Sequence, residues 1–345
     1  MISKVRIRNF KSLRDVRIEL ERFTVFVGPN GSGKSSVLEV LDLLCRIFRQ
    51  GDFDDRHIAP RWLSRGLEAV IEVSAESGER SFRYRSRTPS ESNGVPLGLP
   101  GGIGPMREIA SGLDSVDWKI CDASIASLPP SIWLRLETSK LTIASVASPD
   151  PAVMGSDGTG MHAALASMAL HDPDSWQALQ ADLNRIIPSI RRLRHTKVPL
   201  GQIPSLLFDT LGADSLPATQ VSEGTLLVLG LLTVLYGPDR PSLVLLDDLD
   251  RGLHPRAQKD LVTLLRGLLD TNPELQIVAT THSPYLLEWM QAKEVRMTWL
   301  QEGSMVCAPL EEHPKFEKWK DEMSPGEMWS LFGEKWLAEK AGAIA

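Results

Sequence analysis

The chain has 345 residues, 42% of them hydrophobic and 24% charged, with a formal net charge of −6. This is the composition of a globular chain with material for one large domain or two. The acidic balance excludes a general positive field for recruiting nucleic acid, so any DNA contact has to come from local basic patches. Cys45, Cys121 and Cys307 stand far apart with no CxxC pairing, which points to a reducing compartment without a disulfide framework or structural zinc. The longest apolar stretch, residues 226–236, is too short to cross a bilayer, so a cytoplasmic protein without membrane contact is expected.

In chain order, residues 2–20 read as two strands around Asn9-Phe10-Lys11-Ser12, with Val5 and Ile7, then Val16, Ile18 and Leu20, alternating against charges. An apolar strand at 23–27 runs into Gly28-Pro29-Asn30-Gly31-Ser32-Gly33-Lys34-Ser35-Ser36, and an apolar-periodic helix follows to about residue 50, with Cys45 on its apolar face. Residues 68–87 look like a hairpin around Ser77-Gly78. Its second strand carries Arg80, Arg83, Arg85 and Arg87, either a solvated face or a strip that meets phosphate backbone. A glycine-, proline- and serine-rich stretch at 88–105 reads as a flexible loop. Between 106 and 157 the pattern is weak; strands are expected at 132–136 and 140–146 and no function is assigned. Residues 160–190 have helical spacing broken at His171-Asp172-Pro173, with Asp172 as cap of the second helix and Pro173 in its first position. Ser189 to Lys197 is a second basic cluster that also fits a half-exposed edge strand. No sustained heptad pattern and no internal repeat occurs. Three of the nine tryptophans, Trp319, Trp329 and Trp336, fall in a helix-prone tail and are expected to anchor it to its own domain.

The chemistry concentrates in four places. A strand, a glycine-rich turn and a helix form a phosphate cradle, in which successive N–H groups of Asn30, Gly31, Ser32, Gly33 and Ser36 and the helix start face phosphate oxygens. There Lys34 supplies a point charge and Ser35 a hydroxyl for Mg²⁺. The apolar strand at 243–246 ends in Asp247-Asp248, a carboxylate pair suited to Mg²⁺ (Asp247) and to polarising the attacking water (Asp248). A third strand, 276–281, ends in His282, placed to hydrogen-bond a γ-phosphate and report its presence. Finally, Val221-Ser222-Glu223-Gly224-Thr225 opens an apolar helix and offers a second phosphate-binding helix end at Ser222 and Gly224. One γ-phosphate does not need two such ends, so the second is expected to cap ATP held by another copy.

With these motifs, the opening IRNFKSL, the block DDLDRGLHP and TTHSP, the chain resembles the ABC-type ATPase heads of the RecF, SMC and OLD-like branch, grouped with the AAA ATPases, in a compact form without a coiled-coil arm. Gly158-Thr159-Gly160 and SPGEMWSLFGEKW fit the same branch. The resemblance implies an α/β fold of the ABC/SMC-head P-loop type, with a mixed central sheet, an antiparallel β subdomain and a helical lobe. The expected division is 1–105, an ATPase lobe with the phosphate loop and β subdomain; 106–220, an inserted helical lobe; 221–310, the signature helix, acid pair and switch histidine; and 311–345, a helical extension. It implies ATP and Mg²⁺ held in cis by Lys34, Ser35 and Asp247 and in trans by Ser222 and Gly224, catalysis by Asp248 with His282, and a homodimer around two ATP, or a higher oligomer built on it. The function implied is an ATP-hydrolysing switch in DNA repair or in bacterial defence. The alternatives are a weakly hydrolysing scaffold that holds a nuclease or toxin effector and, less favoured, a transporter ATPase subunit. The branch usually has Glu where this chain has Asp248, one methylene shorter, so slow turnover is expected. His254 stands at the D-loop aspartate position, and no glutamine occurs between Gln50 and Gln177 to serve a Q-loop.

Overall fold

The computed structural model describes residues 1–50, 68–75, 78–86, 106–111, 114–120, 130–144, 152–196 and 205–342. The chain divides into two compact units, one built from 1–129, 292–323 and 328–345, the other from 130–291 with 324–327. The expected loop at 88–105, Arg87 and Cys121 lie outside the described residues.

The first unit opens with β1 (Ile2–Phe10) and β2 (Leu13–Glu19), paired antiparallel from Lys4↔Glu19 to Phe10↔Leu13. Alternation places Val5, Ile7, Val16 and Ile18 in the core, and the turn needs left-handed backbone at Asn9 and Lys11 (φ 59° and 51°). The strand β3 (Phe23–Val27) is buried at every position, and α1 (Lys34–Gln50) follows the phosphate loop. Lys11, in the turn, forms an ion pair with Glu39 of α1, and Cys45 is buried among the apolar residues of that helix. The hairpin of β4 (Glu68–Ala75) and β5 (Gly78–Ser86) forms as expected. Beyond it, β6 (Met106–Ser111) and β7 (Asp114–Ile120) were not anticipated: β7 pairs antiparallel with β5 and extends one six-stranded antiparallel sheet in the order β2-β1-β4-β5-β7-β6. The stretch 106–120, expected in a helical lobe, is therefore part of the β subdomain.

In the second unit β8 (Ser131–Leu134) is a shorter version of the strand expected at 132–136. Over 140–144, the described part of the strand expected at 140–146, the chain instead leaves one helical turn, α2 (Thr138–Leu141), closed by the Lys140 and Leu141 N–H groups donating to the Glu137 carbonyl. Tertiary packing overrides the local β pattern here: Leu141 is fully buried against Gly158 and Gly230, sites where a Cβ would collide with its side chain or crowd it. The helices α3 (Met161–His171) and α4 (Pro173–Ile186) match the expected break, with Asp172 Oδ1 accepting from the Ser175 N–H at 3.1 Å and Pro173 in the first turn. The cluster at 189–197 forms β9 (Ile190–His195), an edge strand as expected, beside β10 (Leu206–Thr210) and β11 (Leu216–Pro217). Arg194 grips Asp209 with two 2.6 Å hydrogen bonds across β9 and β10, and that guanidinium holds the Asp209 carboxyl down to about 2. The edge of β9 is not left open: Gln180 Oε1 accepts from the Leu193 N–H, and Asn184 Nδ2 donates to the Ile190 carbonyl.

The rest of this unit is α5 (Glu223–Tyr236), β12 (Leu243–Leu246), α6 (Pro255–Thr271), β13 (Gln276–Thr281) and α7 (Pro284–Leu287). Both β12 and β13 are buried at every residue, and β12 lies parallel between β8 (Leu246↔Leu134) and β13 (Leu246↔Ala279). Continuous apolar runs rather than alternation are what a strand covered on both faces requires.

The chain returns to the first unit with β14 (Val295–Gln301), parallel to β3, and β15 (Ser304–Pro309), antiparallel to β14, then α8 (Phe316–Trp319), α9 (Pro325–Phe332), whose first residues to Glu327 belong to the second unit, and α10 (Trp336–Gly342). The fold is thus α/β with parallel and antiparallel pairing mixed. Trp336 is buried against the His313 ring at 5.2 Å, Trp329 Nε1 donates to Glu334, and Trp319 is half-buried, so the tail is tied to its own unit as expected.

Candidate functional site

The phosphate loop leaves β3 at Gly28, whose backbone (φ 146°) is open to glycine and strained for any L side chain. Space forbids a side chain as well, because a Cβ there would stand 2.2 Å from the Thr298 carbonyl oxygen of β14. Thr298 Oγ1 donates to the Val27 carbonyl at 3.0 Å and is hydrogen-bonded to Ser32 Oγ at 2.7 Å, so one hydroxyl on β14 fixes both the entry and the middle of the loop. Ser12, from the β1–β2 turn, accepts from the Met305 N–H at 2.8 Å, and Gly33 sits against both residues. Lys34 is buried, with Nζ donating to the Gly28 and Pro29 carbonyls at 2.8 and 3.0 Å, while Asn30, Gly31 and Ser35 face solvent. Ser36 is half-exposed and its N–H is held by the Gly33 carbonyl at 3.0 Å. Open space around Gly31, a lysine inside the loop and an exposed hydroxyl at the start of α1 fit a magnesium-bound polyphosphate.

In the second unit, Asp247 and Asp248 follow β12 as expected. The Thr280 hydroxyl donates to Asp247 Oδ1 at 2.6 Å and accepts from the Asp248 N–H at 2.9 Å, so one buried side chain sets both acids. Asp248 has φ 52°, a left-handed backbone that Asp and Asn tolerate better than longer side chains do. This is a local reason for Asp where Glu is usual in the branch. Its carboxylate is about half exposed and lies 3.9 Å from His282 Nε2, so the acid and the imidazole come together. His254 does not face them through its ring: Nδ1 accepts from the Arg256 N–H at 3.3 Å and caps α6.

Sequence reasoning missed the groups that brace this end. Asp250 Oδ1 accepts from the Thr281 hydroxyl at 2.6 Å and from the His282 N–H at 3.1 Å, which binds the loop after β12 to the end of β13. Ser283 donates to Gln258 Oε1 at 2.6 Å and Gln258 Nε2 donates to the Leu253 carbonyl at 2.9 Å. The repeated hydroxyls of Thr280-Thr281 and the last acid of DDLD were the available signals.

At the start of α5, Ser222 is exposed, caps the helix by accepting from the Thr225 N–H at 3.4 Å, and is hydrogen-bonded to the Thr225 hydroxyl at 2.8 Å. Gly224 is buried, and a Cβ on it would stand 2.2 Å from the Gly252 carbonyl oxygen of the same chain. Glycine there lets α5 touch the loop that follows Asp248, a reason the sequence alone did not offer. Glu223 adds an ion pair with Arg251 and accepts from Thr138. Beside this contact lies a cavity of about 300 Å³ bordered by Leu134, Glu137, Leu231, Asp247 and Asp248. The segment after β8, Arg135-Leu136-Glu137, lines the same cavity as the acid pair, and no glutamine is among the described residues that line it.

Two families match the chain: an AAA ATPase domain over residues 1–76, and an AAA domain described as a putative AbiEii toxin of a type IV toxin–antitoxin system over residues 161–288. The fold is shared with an SMC head bound to the C-terminal winged-helix domain of ScpA (15% identity, TM-score 0.58, 90% of this chain and 98% of that one). It is shared too with a Pyrococcus furiosus SMC head bearing an extended coiled coil and bound to the C-terminal domain of ScpA (12% identity, TM-score 0.56, 93% and 99%). Fold and family matches define the class: two stretches of the chain match AAA ATPase domain models, and the chain has the fold of SMC heads.

Among curated proteins it is similar to the Septu protein PtuA of Bacillus thuringiensis, 42% identical over 50 residues, and to the OLD nuclease of Thermus scotoductus, 39% identical over 44 residues. These matched stretches make up 14% and 13% of this chain and only 12% and 8% of the two relatives. Among the described residues no helix is long and apolar enough to cross a membrane.

Proposed function

We propose that the chain is an ATP-driven switch in which two copies close around two MgATP and reopen on hydrolysis, coupled to DNA repair or to bacterial defence against foreign DNA. The observation that carries the reading is that one chain holds two helix starts fit for phosphate, α1 behind the glycine loop and α5 capped by the exposed Ser222. In this reading the loop N–H groups and Lys34 hold the β- and γ-phosphates, while Ser35 and Asp247 hold Mg²⁺, which neutralises charge on the phosphates. Asp248 polarises the attacking water and His282 reads the γ-phosphate. Ser222 and the first turn of α5 cap nucleotide bound to the other copy, and Gly224 serves them by letting that turn rest on Gly252. The local likeness to a Septu protein and an OLD nuclease supports the defence branch. Molar mass in solution tests the reading: Asp248→Asn with MgATP should run as a dimer and without nucleotide as a monomer, whereas a monomer under both conditions would sink it.

A second reading has its own observation. Asp248 is short, half exposed and held in left-handed backbone, which suits a head that binds ATP, turns over slowly and holds a nuclease or toxin partner inactive. Turnover of about 1 per second or faster, with no protein co-purifying, excludes it.

A further inference from the structure

The second unit carries a surface that none of these roles uses. Along α6, Arg256, Lys259, Thr263 and Arg266 recur at spacings of three and four and share one face. Arg256, Lys259 and Thr263 are exposed and Arg266 half-exposed. Against this face lies the segment that begins at His282. Ser283 is hydrogen-bonded to Gln258 at 2.6 Å, which seats the start of α7 beside the first turn of α6. Arg266 Nη2 donates to the Trp289 carbonyl at 3.0 Å, which seats the other end of the segment two turns further on. Between these two fixings Lys259 Nζ stands 4.0 Å over the centre of the Trp289 ring.

Two large aromatic side chains are left open here. Tyr285 is 52% and Trp289 39% exposed, although their neighbours Leu286 and Leu287 are fully buried. A chain of net charge −6 thus carries Arg256, Lys259 and Arg266 on one face of α6 and His282 at the start of the segment that bears Tyr285 and Trp289. Three carboxylates fall within the same stretch, Asp260, Asp270 and Glu288, of which Asp270 is exposed and stands one turn beyond Arg266. Asp260 is only half-exposed, and the stem of Glu288 lies along Gly326, where a Cβ would stand 3.1 Å from its Cγ.

We propose that this face binds single-stranded nucleic acid, with Trp289 and Tyr285 as stacking platforms and Arg256, Lys259 and Arg266 on the backbone phosphates. The two rings decide between polyanions: a duplex offers phosphates but hides its base faces, whereas an unpaired strand can use both the cations and the rings. In the basic cluster of β9, by contrast, Arg194 is already taken by Asp209. The platform starts at His282, so an occupied strand and a bound nucleotide would meet at one residue. The inference names the partner of the proposed DNA-linked switch and rests on that reading for its purpose, while the binding itself stands apart from ATP turnover.

The test is fluorescence anisotropy of a labelled 20-nucleotide oligothymidylate and of a duplex of equal length, across 50–200 mM salt, with the full chain, at about the range where phosphate contacts are most visible. The unpaired strand should bind more tightly than the duplex. Tyr285→Ala with Trp289→Ala should weaken it about tenfold or more, and Trp289→Phe, which keeps a ring, should restore most of the loss due to that position. Arg256→Glu with Lys259→Glu should flatten the log–log salt slope by about 1.4. Thermal melts matching the parent protein establish that the variants fold, and the ATP-dependent mass measured on the same variants should stay that of the parent. Binding insensitive to all of these substitutions, equal preference for duplex, or capture of a poly-glutamate peptide in place of the oligonucleotide would overturn the proposal. If the mass shift is absent while oligonucleotide binding follows the substitutions, the switch reading fails and this one stands.

Discussion

The phosphate loop and the acid end of β12 both continue a fully buried strand in parallel pairing, yet they are held in place by opposite means. The loop is fixed by exclusion: Gly28 lies so close to the Thr298 carbonyl that no side chain fits, and the backbone curls in conformations only glycine takes easily. The acid end is fixed by attachment, through the hydroxyls of Thr280 and Thr281 to Asp247, Asp248 and Asp250. A phosphate cradle is made of backbone N–H groups, so the backbone itself has to be rigid. Carboxylates and an imidazole act through side chains, which hydrogen bonds can aim while the backbone absorbs strain, as it does at Asp248.

This contrast can be broken or sharpened by substitution. The largest effect is expected for Gly28→Ala, where the added methyl meets a backbone oxygen in a positive-φ conformation. Denaturant unfolding should show a loss of about 3 kcal/mol or more, and titration with a fluorescent ATP analogue should show weakened binding. A variant of parental stability would mean that the loop is looser than its contacts with β14 imply. Thr280→Val keeps the shape of the buried residue and removes its hydroxyl, leaving the Asp248 N–H and Asp247 each short of a partner. A cost of about 1–3 kcal/mol is expected from the same unfolding experiment, and a change below about 0.3 kcal/mol would show that attachment is not what holds the acids. The smallest effect belongs to Asp248→Gly, which removes the left-handed strain together with the carboxylate. Relief of strain and the greater freedom of the unfolded chain nearly cancel, for a gain under about 1 kcal/mol, while phosphate release from ATP stops. Marked destabilisation would show that the Asp248 side chain itself is part of the attachment.

Much of this was legible beforehand for a common physical reason. The phosphate loop, the four-residue apolar strand before Asp247 and the Ser222 cap each express their chemistry within a few consecutive residues, and so does the Asp172-Pro173 break between α3 and α4. The misses are of another kind. The strand β7 exists through pairing with β5, far off in sequence, and its own pattern is weak. A strand was expected from residue 140, but residues 138–141 coil into one turn, because that turn buries Leu141 under Gly158 and Gly230. Asp250 stood out as an acid but gave no sign of which groups it braces, since its partners Thr281 and His282 come some thirty residues later.

By itself the amino-acid order determined that this chain holds a glycine-rich turn between strand and helix, a buried strand ending in two acids, a histidine at the end of another strand and a second capped helix start, because turn, cap and periodicity are local properties. Tertiary structure alone decided how these groups are held. Thr298 locks the loop from a strand some 270 residues away, Thr280 aims both acids, Gly224 packs on Gly252, and α6 lies beside Trp289 and Tyr285. Each of these is a contact between residues distant in the chain, and only folding sets which hydroxyl, which missing Cβ and which exposed ring come to stand together.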